Sequence, residues 1–179
     1  MNERKLVKRA MKGNKEAFEE LLVMHSNQLY RTAFLYVGNR EDALDIVQET
    51  AYKGLIAIRQ LKNEDYFLTW LTKILIHCAF DVMKKKIKEI PAEEIVEYSA
   101  VLFETKDTNI DLMSAVSQLK DHYRTAIILF YFKDFSIKEV SKIMDVPENT
   151  VKTYLSRGKV ELKKRLRGHT YNGQETVSR

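Results

Sequence analysis

Apolar residues recur along most of this chain every three or four positions, the spacing of one face of an α-helix. A short amphipathic segment over residues 3–11 breaks at Gly13-Asn14. Over residues 15–37, Phe18, Leu21, Leu22, Leu29, Ala33 and Val37 keep the helical spacing, and Gly38-Asn39 then stops the helix. Asn39, with Asp42 three residues on, suits the cap of a third helix. That helix is expected to run to about Ile58, with Leu44, Val47, Ala51, Leu55 and Ile58 inward. A polar break over residues 60–65 precedes a fourth helix over 66–86, burying Trp70 or Leu71, Ile74, Cys78 and Val82. Four helices with short connections predict a compact bundle.

The pattern dissolves over residues 88–111. Pro91 interrupts, acids accumulate, and Ile95, Val96, Val101, Leu102 and Phe103 keep no long period. A linker able to span roughly 80 Å when extended is the expectation. Helical spacing returns at Leu112, Val116, Leu119, Tyr123, Ile127 and Phe130. Next, Ser136-Ile-Lys-Glu139 reads as a capping box, opening a short helix with Ile137, Val140, Ile143 and Met144. The turn Asp145-Val146-Pro147 leads to a longer helix over residues 148–167, where a Pro near the start costs no hydrogen bond. Residues 168–179 are polar and expected to fray. The predicted fold class is all-α. A four-helix N-terminal domain (residues 1–87) is joined by an acidic linker (88–111) to a C-terminal helix-turn-helix domain (112–167), followed by a tail (168–179).

Composition supports this picture. The 179 residues include only 2 Pro and 6 Gly, too little punctuation for a many-stranded sheet. The charged start, Asn2-Glu3-Arg4-Lys5, does not resemble a signal peptide, and no run is expected to reach the length that spans a bilayer. Cys78, the single cysteine, has no internal disulfide partner, which fits a reducing cytoplasm. Net charge is +5, and its distribution is uneven. Residues 1–87 carry 15 Lys/Arg against 11 Asp/Glu, residues 88–111 carry 2 against 7, and residues 112–179 carry 13 against 7. Two basic blocks flanking an acidic bridge suggest two surfaces for a polyanion.

Three constellations carry chemistry. On the last helix, Val151, Leu155, Gly158 and Leu162 form one stripe, and Asn149, Thr150, Lys152, Thr153, Ser156, Arg157 and Lys159 lie off it. Short polar and basic side chains near a helix N-terminus suit a DNA major groove, where Asn, Thr and Arg read base edges and Lys neutralises phosphate. On the third helix, Asp42, Asp45, Gln48, Glu49 and Tyr52 form a polar stripe expected opposite the buried one. Without His or Cys beside them, these acids suggest protein docking rather than a metal site or acid/base chemistry. On the fourth helix, Lys73, His77, Phe80 and Lys84 share one face, with Tyr66 and Phe67 in the preceding loop. Aromatics interleaved with cations suit a single strand, by base stacking and phosphate neutralisation; at helical spacing they also suit a core. There is no glycine-rich phosphate loop, no His-Glu-x-x-His and no cysteine pair, and His25, His77, His122 and His169 are scattered. No enzyme activity, metal or cofactor is expected.

Taken in this order, the three constellations resemble the extracytoplasmic-function (ECF) subfamily of sigma-70 family RNA polymerase sigma factors. The run from Asp42 to Thr50 (DALDIVQET) resembles that family's polymerase-binding helix. The run from Trp70 to Lys85 (WLTKILIHCAFDVMKK) is similar to its promoter-melting helix, and residues 119–164 to its C-terminal helix-turn-helix. The resemblance implies that Asp42, Asp45, Gln48, Glu49 and Tyr52 contact the coiled coil of the polymerase β′ subunit. It implies that Leu61, Lys62, Asn63, Tyr66, Trp70, Lys73, His77 and Lys84 engage the melted −10 element. Asn149, Thr150, Lys152, Thr153, Ser156, Arg157 and Lys159 would face the −35 duplex, with the β flap gripping the same domain. A cognate anti-sigma factor, often membrane-bound in this family, is a further implied partner. Four positions depart from the family's habit: His77 for Asn, Tyr154 for Arg, Asp145 for the turn Gly and Gly158 for Ala. A helix-turn-helix regulator that acts without polymerase, binding an intact palindromic duplex as a dimer, is the alternative on the motif alone, and an all-helical protein adaptor is a third reading.

Overall fold

Every regular element among the described residues is helical in the structure, a computed structural model that describes residues 2–89, 112 and 115–172, with side chains over 2–86, 112 and 115–166. The chain divides into two compact units, residues 1–90 and 91–179. The linker expected over residues 88–111 lies, from residue 90 on, outside the described residues, as do residues 173–179 of the tail.

In the first unit the predicted punctuation operates. α1 (Glu3–Met11) starts at Asn2, whose side chain accepts from the Arg4 amide. α2 (Lys15–Val37) starts at Asn14, whose Oδ1 accepts from the Ala17 amide at 2.7 Å. It stops at Gly38, at φ 72°, a left-handed conformation that costs glycine nothing. α3 (Arg40–Ala57) is capped by Asn39, with Oδ1 2.9 Å from the Asp42 amide. It tightens into a 3₁₀ turn, Ile58–Gln60. A second such turn, Glu64–Tyr66, opens α4 (Phe67–Glu89). Phe18, Leu21, Leu29, Tyr36, Ile46, Phe67, Leu71 and Leu75 fill the core. Phe18 and Phe67 meet edge-on with centroids 6.3 Å apart, and Tyr36 meets Phe80 likewise at 5.8 Å.

α3 is rotated relative to the expectation. Its buried positions are Asp42, Ala43, Ile46, Thr50 and Gly54, whereas Leu44 and Leu55 are exposed and Val47 and Ala51 half-buried; Ile58 alone of the expected set is buried. The reason is size. A Cβ on Gly54 would stand 2.9 Å from Phe18 Cζ and 3.0 Å from Leu71 Cδ1. The helix therefore turns its small residues to the bulky ones of α2 and α4, because interiors leave no space for side chains on both partners. α4 departs in the same way: Leu71, not Trp70, is the buried alternative, Cys78 is buried as expected, and Ile74 and Val82 are half-buried. Residues 64–86 do prove long and apolar enough, by length and composition, to cross a membrane, contrary to expectation, but 44% of that window is buried inside the first unit.

In the second unit, residues 115–117 are helical and a turn over 118–120 interrupts the helical spacing read from Leu112 to Phe130. α5 (Asp121–Ile127) follows, widening into a π-helical turn, Ile128–Phe132. The break is pinned by Arg124, which is 4% exposed, reaches the Ser117 carbonyl at 2.9 Å and pairs with Asp121. α6 (Ile137–Met144) opens with the predicted capping box: the Ser136 hydroxyl accepts from the Glu139 amide, and Glu139 accepts from the Ser136 amide at 2.8 Å. α7 (Glu148–Asn172) outlasts its expected end at 167. Asp145 closes α6 at φ 53°, ψ 44°, so the position where the resembled family carries glycine keeps the left-handed conformation that Asp tolerates better than most residues. Gly158 is also explained: a Cβ there would lie 3.2 Å from Ile127 Cγ1 and 3.3 Å from Tyr123 Cβ, so α7 lies closer on α5 than an alanine comfortably allows.

Ile46→Ala should cost about 2–5 kcal/mol, the usual range for emptying a filled core site, whereas Leu44→Ala should stay within about 0.5 kcal/mol. Urea denaturation of the two variants checks this, and the opposite order would restore the face read from the sequence.

Candidate functional site

The rotation of α3 sets the character of its outer face. Asp45, Gln48, Glu49 and Tyr52 are exposed, and the same face carries Leu44, Leu55 and Ile56, which are 41%, 37% and 62% exposed. The sequence reading assigned Leu44 and Leu55 to the core and so missed that the acidic stripe is studded with apolar side chains. Their exposure follows from the small-residue face opposite, which helical periodicity alone does not weigh. Beside the stripe, Asp45, Glu49, Tyr52, Cys78, Asp81 and Lys86 help to line a groove of about 720 Å³. Lys53 spans it, 3.3 Å from Glu49 and 3.8 Å from Asp81. Burial pushes the Cys78 thiol up from its ordinary range, so it sits there as an uncharged core group.

Asp42 does not belong to that face. It is 9% exposed, accepts from the Asn39 amide nitrogen, and pairs with Lys86 near the far end of α4. In the first turn of α3 its charge also favours the helix dipole. This carboxylate joins the start of α3 to α4.

The connection before α4 divides similarly. Leu61 is buried, 8% exposed, and serves as an anchor rather than a contact residue. Lys62 and Asn63 are exposed, and Asn63 Oδ1 accepts from the Asp65 amide at 2.9 Å. Tyr66 is half-buried, and Phe67 is core at 2% exposed, so Phe67 offers no stacking surface. Glu64 takes Arg4 Nε at 3.0 Å and Lys8 Nζ at 3.2 Å. A backbone hydrogen bond within its own turn, with those two cations, holds its carboxyl down at about 2. Along α4, His77 and Lys84 are exposed and Lys73 is half-buried. Phe80 leaves their face to pack on Tyr36. Trp70 is half-buried, its ring 6.1 Å from that of Phe67.

In the second unit α7 buries Val151, Leu155 and Gly158, with Leu162 half-buried. Asn149, Lys152, Thr153, Ser156, Arg157 and Lys159 are all exposed, and Thr150 is half-buried. The Thr153 hydroxyl donates to the Asn149 carbonyl at 2.9 Å, which restricts its rotamer. Tyr154 turns away from this face: its ring lies 4.7 Å from that of His122 and 5.8 Å from that of Tyr123. The aromatic at that position thus packs the unit, and its neighbours hold the polar face. No group of three or more His, Cys, Asp or Glu side chains among the described residues is arranged to hold a metal ion.

Comparison with known proteins gives the following matches. The family model "Sigma-70 region 2" matches residues 8–88, and "Sigma-70, region 4" matches residues 110–162. RNA polymerase sigma factor SigV of Bacillus subtilis is 37% identical over 134 residues, 74% of this chain and 81% of that protein. ECF RNA polymerase sigma factor SigW of the same organism is 29% identical over 180 residues, 92% of this chain and 96% of that one. Among solved structures, CnrH in complex with the cytosolic domain of CnrY superposes with a TM-score of 0.71 at 22% identity, covering 93% of this chain and 97% of that chain. RpoE of Bartonella quintana, solved with the anti-sigma factor NepR, gives 0.66 at 22% identity over 84% of this chain and 96% of that chain.

Two carboxylates of the first unit should behave differently when removed. Asp42→Ala should lower stability by about 1–3 kcal/mol, the usual cost of breaking a buried charged hydrogen-bond set, whereas Asp45→Ala should leave it within about 0.5 kcal/mol; thermal melts compare the two. Glu64 is depressed in the folded state, so its contribution to stability is complete above the ordinary carboxylate value of 4.5 and is lost as pH falls from there through about 2. An NMR titration of its side-chain carboxyl that gave an ordinary midpoint would contradict the ion-pair geometry.

Proposed function

The chain belongs to the sigma-70 family, as an RNA polymerase sigma factor of the ECF type that initiates transcription as a non-catalytic subunit, and we propose that the outer face of α3 is where it grips core polymerase. The observation that carries this reading is the mixed character of that face. Interfaces draw their energy from a few apolar or aromatic anchors, while surrounding charges fix orientation and speed encounter. Tyr52, Leu55 and Ile56 supply anchors, with Leu44 toward the other end; Asp45, Gln48 and Glu49 supply the polar frame. A basic coiled coil of the β′ subunit is the complementary partner. Asp42, being buried, acts on this contact only by fixing the start of α3.

The same unit handles the opened promoter. Lys62, Asn63 and Tyr66 in the connection, with Trp70, Lys73, His77 and Lys84 on α4, form the −10 surface, and Leu61 supports it from inside. Cations beside ring systems favour a single strand. His77 offers a donor and an acceptor rather than the fixed amide pair of Asn, which shifts the base it prefers. In the second unit, Asn149, Thr150, Lys152, Thr153, Ser156, Arg157 and Lys159 face the −35 duplex, and the β flap holds that unit. The protein works in the cytoplasm. A cognate anti-sigma factor, membrane-bound as in many such systems, holds it inactive; the solved complexes of similar fold support a regulator of that kind.

Asp45→Arg combined with Glu49→Arg should leave the circular-dichroism spectrum and melting temperature unchanged and abolish co-purification with core polymerase; retained binding would remove the case for this face. Arg157→Ala should weaken promoter binding by about 1–3 kcal/mol and relax selectivity at one −35 position. Lys152→Ala should weaken all promoters alike and lower the slope of log affinity against log salt by about 1. Binding measured at several salt concentrations separates the two.

A further inference from the structure

The connection between α3 and α4, residues 58–66, is the longest in the first unit, and α1 holds it near both ends. Near its start, the Arg59 guanidinium lies over Gly13, where a Cβ would meet Nη2 at 2.3 Å. Gly13 itself has φ 93°, a left-handed conformation that favours glycine there. Near its end, Arg4 Nε reaches Glu64 Oε1 at 3.0 Å and Asp65 Oδ1 at 3.3 Å, and Lys8 Nζ reaches Glu64 at 3.2 Å. α1 is in turn tied to α2, with Glu3 Oε1 2.9 Å from His25 Nε2. Between the anchors Leu61 is buried, while Lys62 and Asn63 remain exposed.

We infer that α1 is a strap that presents the Lys62-Asn63 tip for base recognition, with Arg4, Lys8 and Glu64 as its positioning residues. The inference rests on the proposal that this connection reads the −10 element. Exposed ion pairs add little to global stability. These pairs tie a surface connection to a helix some 60 residues away in sequence, so their effect falls on local order. A tip already held in its bound shape spends less binding free energy on ordering when a base arrives. Loss of the strap therefore appears as slower opening and blunted base preference, not as unfolding.

The test uses the full-length protein with core polymerase on a promoter recovered by run-off selection from genomic fragments, and on derivatives with single −10 changes. Arg4→Glu with Lys8→Glu should slow open-complex formation about three- to tenfold. It should also compress the preference between the parent and altered −10 elements, with the helical circular-dichroism spectrum and core affinity unchanged. Glu64→Gln with Asp65→Asn, which breaks the pairs but leaves both cations in place, should reproduce both effects, which loss of a direct phosphate contact by Arg4 or Lys8 would not explain. Lys62→Ala with Asn63→Ala tests the underlying reading separately. If that variant keeps the parental −10 preference, the connection does not read bases and the strap falls with it. If it loses the preference while Arg4→Glu with Lys8→Glu keeps it, or if Glu64→Gln with Asp65→Asn leaves both properties at the parental level, the strap alone is overturned.

Discussion

Gly54 lies against Phe18 and Leu71 so closely that a methyl group would not fit without movement, and the layout of the first unit follows from that contact. With Ala43, Ile46, Thr50 and Gly54 turned to the core, α3 has no inward place for Leu44, Leu55 or Ile56. They stand outside with Asp45, Gln48, Glu49 and Tyr52. An exposed leucine alone is ordinary. Four large side chains framing an acidic stripe on one helix make a face suited to a protein partner. Packing on one side of the helix thus dictates what the other side exposes.

The second unit is built on the same economy. Gly158 lets α7 approach α5, the Ser136–Glu139 box fixes where α6 begins, and Asp145 turns the chain between them. The Ser141 hydroxyl donates to the Val146 carbonyl at 2.6 Å and steadies that turn. Tyr154 spends its ring on His122 and Tyr123. What is left outward on α7 is a run of short polar and basic side chains on a rigid support, the condition for placing donors against base edges within hydrogen-bonding tolerance.

The helices were readable from the sequence because their signals are local. Asn2, Asn14, Asn39 and Ser136 each accept from a backbone amide two or three residues on, so caps and stops need no knowledge of distant chain. Which face each helix buries was less readable. Counting apolar residues favoured Leu44 and Leu55 over Ala43 and Gly54, because periodicity scores hydrophobicity and ignores the bulk waiting opposite. Asp42 read as part of an exposed stripe because its partner, Lys86, is 44 residues away. Leu61 and Phe67 read as loop contacts because nothing local reveals that the core reaches beneath them. The polar face of α7 was readable, since α7 carries a clear stripe of small and branched apolar residues that only one rotation satisfies. The break at residues 118–120 was not, because Arg124, which pins it, looks like any surface cation in a linear reading.

As a sigma factor, this protein gives core polymerase a start site it does not find unaided. Run-off transcription from a genomic fragment library, with purified core polymerase in the presence and absence of this protein, measures that directly. The expected result is a set of discrete transcripts that appear only when the protein is added, sharing two spaced sequence elements upstream of each start. An identical transcript spectrum with and without the protein would contradict the account.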